Sequence, residues 1–91
     1  MTTVSIEIGH TPNYATVYVG PVRLEFSYRT CVAFFGPKDS AVRVNDWGPT
    51  TGKHLNAIDG GSQQAKSKRV EGEEFERRLA NILAPLNYES E

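Results

Sequence analysis

The chain has 91 residues, a formal net charge of −1, a 38 % hydrophobic and 23 % charged composition, two histidines and one cysteine. That length makes one small domain, 1–91, which buries only about two-thirds of its unfolded surface, so pairing into a homo-oligomer is expected. No apolar run reaches the roughly 18 residues of a membrane span, one cysteine excludes an internal disulfide, and near-zero charge argues against a general duplex-binding protein.

The chain starts directly in strand alternation, with Val4, Ile6 and Ile8 against Thr3, Ser5 and Glu7. It has no basic start or apolar leader, so a cytoplasmic location is expected. Gly9-His10-Thr11-Pro12-Asn13 has turn chemistry, and residues 14–19 are rich in aromatic and β-branched types, so the first two strands read as a hairpin. Gly20-Pro21 breaks the pattern again. Val22, Leu24, Phe26 and Tyr28 then alternate with Arg23, Glu25 and Ser27, which predicts a strand with one wet face.

Residues 31–35 are apolar on both faces, as in a strand covered on both sides, and Cys31 within them reads as a small buried hydrophobe. Gly36-Pro37-Lys38-Asp39-Ser40 predicts a five-residue hairpin loop, and residues 41–45 resume alternation. After Asn45 the chain turns towards a helix predicted over 52–58, capped by Thr50 or Thr51 and ended by Asp59-Gly60-Gly61-Ser62. Residues 63–69 show no apolar period and read as a mobile loop. From Val70, the stripe Phe75, Leu79, Ile82, Leu83 and Leu86 predicts a helix over 70–84, stopped by Pro85, with Glu73–Arg77 and Glu74–Arg78 as i,i+4 pairs. The fold class is α+β: a four- or five-stranded, mainly antiparallel sheet, a C-terminal helix on one face, and a short helix after the strand-to-helix elbow.

The elbow, residues 45–55, carries the densest set of binding side chains. A helix start offers free N–H groups and partial positive charge, to which Thr50 and Thr51 add hydroxyls, Lys53 a cation and Trp47 a stacking surface. Phosphate is the expected guest. The spacing of Gly48, Gly52 and Lys53 is not that of a P-loop, so no nucleotide hydrolysis is expected. The bland alternative makes Thr50 or Thr51 only a cap and Trp47 a core anchor. His54 reads as a hydrogen-bonding pin rather than a base, and with His10 as the only other imidazole no metal site and no cofactor are expected.

Charge is uneven along the chain. Residues 53–69 hold Lys53, Lys66, Lys68 and Arg69 against Asp59 alone, a local +3, while residues 70–91 hold six Glu against Arg77 and Arg78, a local −4. Lys66, Lys68 and Arg69 are therefore candidates for a flap closing over an anion held at Lys53, or simply a solvated loop.

Ser27-Tyr28-Arg29-Thr30, Val32-Ala33-Phe34, Asn45-Asp46-Trp47, Thr50-Thr51-Gly52-Lys53-His54-Leu55-Asn56, Ile58-Asp59 and Glu73-Glu74-Phe75 carry a resemblance. Over residues 28–83 the chain resembles a family of small uncharacterised proteins encoded by bacteriophages, prophages and plasmids, with the signature Asn-x-Trp-x-x-Thr-Thr-x-x-His-Leu. The resemblance implies a phage-type accessory protein in a bacterial cytoplasm; it carries no activity and assigns no residue a role.

Three functions follow as expectations. The first is a non-catalytic protein that binds a phosphorylated small molecule or short nucleotide at the elbow and sequesters a host defence signal. The second is an interaction protein that inhibits or recruits a host protein through a strand edge or the acidic helix. The third is a nucleic-acid-binding module using Arg23, Arg29 and Arg43 on a wet sheet face. An enzyme is the least expected.

Overall fold

A computed structural model describes residues 4–8 and 13–89, with side chains at 5–6 and 13–84. The turn expected at residues 9–13 lies mostly outside them. Five strands, β1 (Val4–Ile8), β2 (Tyr14–Val19), β3 (Val22–Ser27), β4 (Thr30–Phe35) and β5 (Ser40–Val42), form one sheet in chain order, every pair antiparallel. Helices α1 (Pro49–Asp59), α2 (Gln63–Ser67) and α3 (Gly72–Glu89) follow, completing the α+β fold. Among the described residues no helix is long and apolar enough to cross a membrane.

Strand alternation decides where each helix goes. Leu24, Phe34 and Ala41 lie side by side on one face, where they join Val22 and Phe75 of α3 in the buried core. Phe34 and Phe75 meet in a tilted pair, centroids 5.4 Å apart, and Leu79, Ile82 and Leu83 extend the contact along α3. From Phe75 to Leu83 the expected apolar stripe is thus the packing face of the C-terminal helix; the Leu86 side chain lies outside the described residues. Strand β4, interior between β3 and β5, is apolar on both sides, and Val32, Ala33 and Phe34 are fully buried.

The other face of β3 is wet only at Arg23. Ser27 is 2 % exposed because α1 brings Thr51 and His54 over it, and Glu25 is 5 % exposed among Tyr14, Thr16 and Arg23. Alternation distinguishes two faces but cannot say that the polar one stays in water. Nor do Arg23, Arg29 and Arg43 form a row of free cations. Arg23 stacks on the Phe35 ring and pairs with Glu25, while Arg43 is taken up by Asp46, Glu76 and the Trp47 ring.

Several boundaries differ from expectation. The β4–β5 loop has four residues rather than five, because Ser40 already pairs with Phe35. β5 stops at Val42, although Arg43 N–H still donates to Val32 O at 2.8 Å; on its other side Arg43 bridges in parallel to Val70 in the segment entering α3, with Val44 N–H donating to Val70 O at 2.9 Å and Val70 N–H to Val42 O at 2.8 Å. Residues 63–67 are helical rather than loop, since Ser62 caps α2 by accepting the Ala65 N–H. α3 continues through Pro85 to Glu89 rather than ending near residue 84. An internal proline costs one hydrogen bond and a clash, about 3 kcal/mol, and need not end a helix. The expected i,i+4 pairs are replaced: Arg77 bonds Glu74 at i,i+3, and Arg78 reaches across to Asp39.

Candidate functional site

The elbow is built by one side chain. Asn45 accepts the Trp47 N–H at 2.9 Å through Oδ1 and donates to the Gly48 carbonyl at 3.0 Å through Nδ2, an Asx turn that folds the chain back before α1. The helix then starts three residues earlier than predicted. Gly48 is the N-cap without a side-chain cap, and Pro49, whose ring presets the helical φ and whose missing N–H costs nothing there, is the first helical residue. Neither Thr50 nor Thr51 is the cap. Gly52 N–H closes the first turn onto Gly48 O, so the Thr50 and Thr51 N–H groups precede any intrahelical partner.

Opposite this helix start, β3 and β4 are joined by the two-residue turn Tyr28-Arg29, flanked by the paired Ser27 and Thr30. Tyr28 sits at φ +58°, a conformation that bulky side chains avoid, and its N–H donates to the Asn13 carbonyl at 2.6 Å. One step on, the register passes from Glu25↔Ala33 to Phe26↔Cys31, leaving Val32 as the extra residue of a bulge.

Between these two segments lies a cleft of about 290 Å³. Ser27, Tyr28 and Thr30 come from the turn, Val32 from the bulge, Trp47 and Gly48 from the elbow, and Pro49, Thr50 and Thr51 from α1. Its lining carries five hydroxyls, those of Ser27, Tyr28, Thr30, Thr50 and Thr51, beside the start of α1; among the described residues neither an acidic nor a basic side chain lines it. Trp47 and Tyr28 are 48 % and 53 % exposed, so Trp47 is no core anchor. Two larger hollows are less suited to a ligand. The one at Arg43 carries Asp46, Glu71, Glu73 and Glu76, and the one between β5 and α2 carries Asp59 and Lys68, of which Asp59 is already paired.

Behind the cleft is a buried polar chain. Ser27 Oγ lies 2.6 Å from His54 Nδ1 and 3.0 Å from Thr51 Oγ1, and all three residues are at most 5 % exposed. His54 therefore sits as a pin between α1 and the sheet. Its Nε2 is buried without a partner among the described residues, against the rings of Tyr14 and Tyr28. The nearest feature of similar kind, buried Glu25, is occupied by the Tyr14 and Thr16 hydroxyls and the Arg23 guanidinium. Burial, with the Glu25 bond second, pushes the Tyr14 hydroxyl above its ordinary pKa.

The residues proposed from sequence are thus divided. Trp47, Thr50 and Thr51 share the cleft, and His54 supports it from behind. Lys53 is exposed on α1 and does not line it. Lys66 on α2 and Lys68 at its C-cap lie elsewhere, and Arg69 is locked onto Asp59 by a two-pronged bond (Nε–Oδ2 2.8 Å, Nη2–Oδ1 2.9 Å) and onto Asn56 at 3.1 Å. Paired so fully, Arg69 belongs to the scaffold rather than to a flap. Ser27, Tyr28 and Thr30 were not predicted for the site. For Ser27 the signal was the polar face of β3, whose covering by α1 no local pattern announces; Tyr28, read with the apolar face, lies in the turn, and Thr30 opens β4. Cys31, its thiol pushed by burial to about 11, is held as the thiol rather than the nucleophilic thiolate at neutral pH. Among the described residues no group of three His, Cys, Asp or Glu is placed to hold a metal ion.

No curated protein and no solved structure matches the chain. A family model, described as a family of unknown function (DUF8033), matches residues 5–77, so the first two strands, outside the resemblance read from the sequence, are part of the family unit. With that match spanning most of its length, the chain belongs to this family of uncharacterised proteins.

Proposed function

We propose that the chain is a non-catalytic binding protein that takes a ring-bearing, phosphorylated small molecule or short nucleotide into the cleft between the Tyr28 turn and the start of α1. One observation carries the reading: two half-exposed aromatics, one of them held at a costly φ, open onto the same hydroxyl-floored cleft. The rings supply stacking, while the Thr50 and Thr51 N–H groups and hydroxyls accept an oxyanion at the positive end of the helix. The volume, at the lower end for small-molecule pockets, fits one base or ring with its phosphate better than a longer oligonucleotide.

The non-catalytic reading is supported by the state of the polar groups. His54 spends Nδ1 on Ser27, its Nε2 has no orienting carboxylate among the described residues, and Glu25 is already engaged. The wider setting we propose is that of a phage-type accessory protein in a bacterial cytoplasm, sequestering a nucleotide-based defence signal. The test is calorimetric titration with a panel of nucleotides, alongside mass spectrometry of material released from the purified protein by denaturation. Saturable binding that is weakened in Tyr28→Ala is expected. No binding across the panel and no released ligand would overturn the proposal.

A second reading, self-association into a homo-oligomer, is favoured by Ile6, which is 66 % exposed on edge strand β1. The occupant it fits is a second copy adding its own β1. A monomeric mass in light scattering, unchanged by Ile6→Lys, would exclude it.

A further inference from the structure

His54, Ser27 and Thr51 form a chain of hydrogen bonds with the imidazole at its inner end and the cleft at its outer end. A hydroxyl both donates and accepts, so such a chain can be polarised in either of two senses, fixed by which ring nitrogen carries the proton. With the proton on Nδ1, His54 donates to Ser27, Ser27 turns its own O–H to Thr51 Oγ1, its remaining side-chain partner among the described residues, and the Thr51 O–H is left to donate into the cleft. With the proton on Nε2, every bond reverses and Thr51 offers a lone pair instead.

The environment of Nε2 decides between them. It is buried and has no hydrogen-bond partner among the described residues. Beside His54 lie two rings, Tyr14 at 5.2 Å and Tyr28 at 6.2 Å between centroids, tilted at 51° and 52° to the imidazole. A buried N–H without an acceptor is rarer than an unused acceptor, so the proton belongs on Nδ1, where Ser27 Oγ is 2.6 Å away.

We infer that His54 is held as the Nδ1–H tautomer and thereby makes Thr51 a committed donor, so that the cleft selects ligands presenting a hydrogen-bond acceptor, an oxyanion or carbonyl oxygen, at its floor. The inference rests on the cleft being a ligand site and adds to it a specificity-determining residue that never touches the ligand. The start of α1 acts in the same sense, since the free N–H groups of Thr50 and Thr51 also only donate. An amine at that position meets donors alone and is rejected.

The tautomer is read in the ligand-free native chain from two-bond ¹H–¹⁵N correlations of ¹⁵N-histidine-labelled protein, at a pH alkaline enough for a neutral imidazole, with His10→Gln to assign the two rings. The Nδ1–H pattern is expected for His54, and the Nε2–H pattern overturns the inference; a merely structural pin predicts neither. In parallel, 5′-AMP binding should fall about tenfold in Thr51→Val, the loss of one hydrogen bond to a charged group, and stay within about threefold in Thr51→Ser. Equal affinity in all three chains overturns the selection. A native chain that binds no nucleotide sinks the proposed function, and the tautomer then decides the relay by itself.

Discussion

The Arg43 guanidinium lies over the Trp47 ring, 4.9 Å from its centroid, while its Nη1 is held 2.8 Å from Glu76 on α3. The cleft lining includes Trp47 and not Arg43. An exposed tryptophan at a helix start is thereby tied to the far helix. Arg43→Lys keeps the charge and loses the planar stack and fork. We expect Trp47 fluorescence anisotropy to fall and nucleotide affinity to drop about two- to fivefold, the equivalent of about 0.5–1 kcal/mol for an exposed cation–π contact. Gly72→Ala should act similarly, since its added Cβ would lie 2.6 Å from Arg43 Nη2. Unchanged anisotropy in both variants would show that Trp47 is positioned by Asn45 alone.

Tyr28→Gly separates stability from binding. Removing a large side chain ordinarily destabilises, but at φ +58° glycine relieves strain of about 1–3 kcal/mol, and the tyrosine is half exposed. The melting temperature should stay within about 5 °C of native or rise, since about 1 kcal/mol moves a domain of this size by roughly that much. Ligand affinity should fall by about 1–3 kcal/mol, the range for an aromatic–base stack. A large loss of stability would make Tyr28 a structural residue and remove the main support for the cleft as a site.

Phe75 is fully buried against Phe34 and the Arg43 guanidinium, 6.0 Å from the ring centroid, so it links the core to the support of Trp47. Phe75→Ala should destabilise by about 3–5 kcal/mol, measured by chemical denaturation. A change below about 1 kcal/mol would mean that α3 does not hold the sheet.

What the sequence disclosed followed the range of the forces involved. The strands, their antiparallel order and the stripe on α3 were readable because period two and period 3.6 are properties of a few neighbouring residues. Trp47, Thr50 and Thr51 were readable because they lie together in the chain. Ser27 and Tyr28 were not, since they reach the site only when α1 folds over β3, 24 residues from Ser27 to Thr51. Arg69 was misread for the same reason: its charge is local, but Asp59, which neutralises it, is brought up by the turn between α1 and α2. Gly48 took the cap from the threonines because Asn45 had already bent the chain, an arrangement that hydroxyl preference alone does not reveal.

The Asp59–Arg69 pair predicts the acid behaviour of the fold. Hydrogen bonds from Arg69 hold the Asp59 carboxyl below its ordinary pKa, and both side chains are largely buried, 13 % and 7 % exposed. A carboxyl whose folded pKa is depressed stabilises fully above its unfolded value, about 3.9, and that stabilisation is lost as pH falls through the folded value. Stability should therefore be flat from neutral pH to about pH 5 and decline below about pH 4. Asp59→Asn should cost about 1.5–3 kcal/mol at pH 7, the range for hydrogen bonds to a charged group, and flatten the acid decline. Asp39 and Glu74 are lowered in the same direction by Arg78 and Arg77 but are open to solvent, so Glu74→Gln should leave the acid limb in place. Denaturation midpoints collected from pH 3 to pH 7 on the three chains decide it: if Asp59→Asn declines in acid as steeply as the native chain, the link between α1 and the residues after α2 is held by something other than this ion pair.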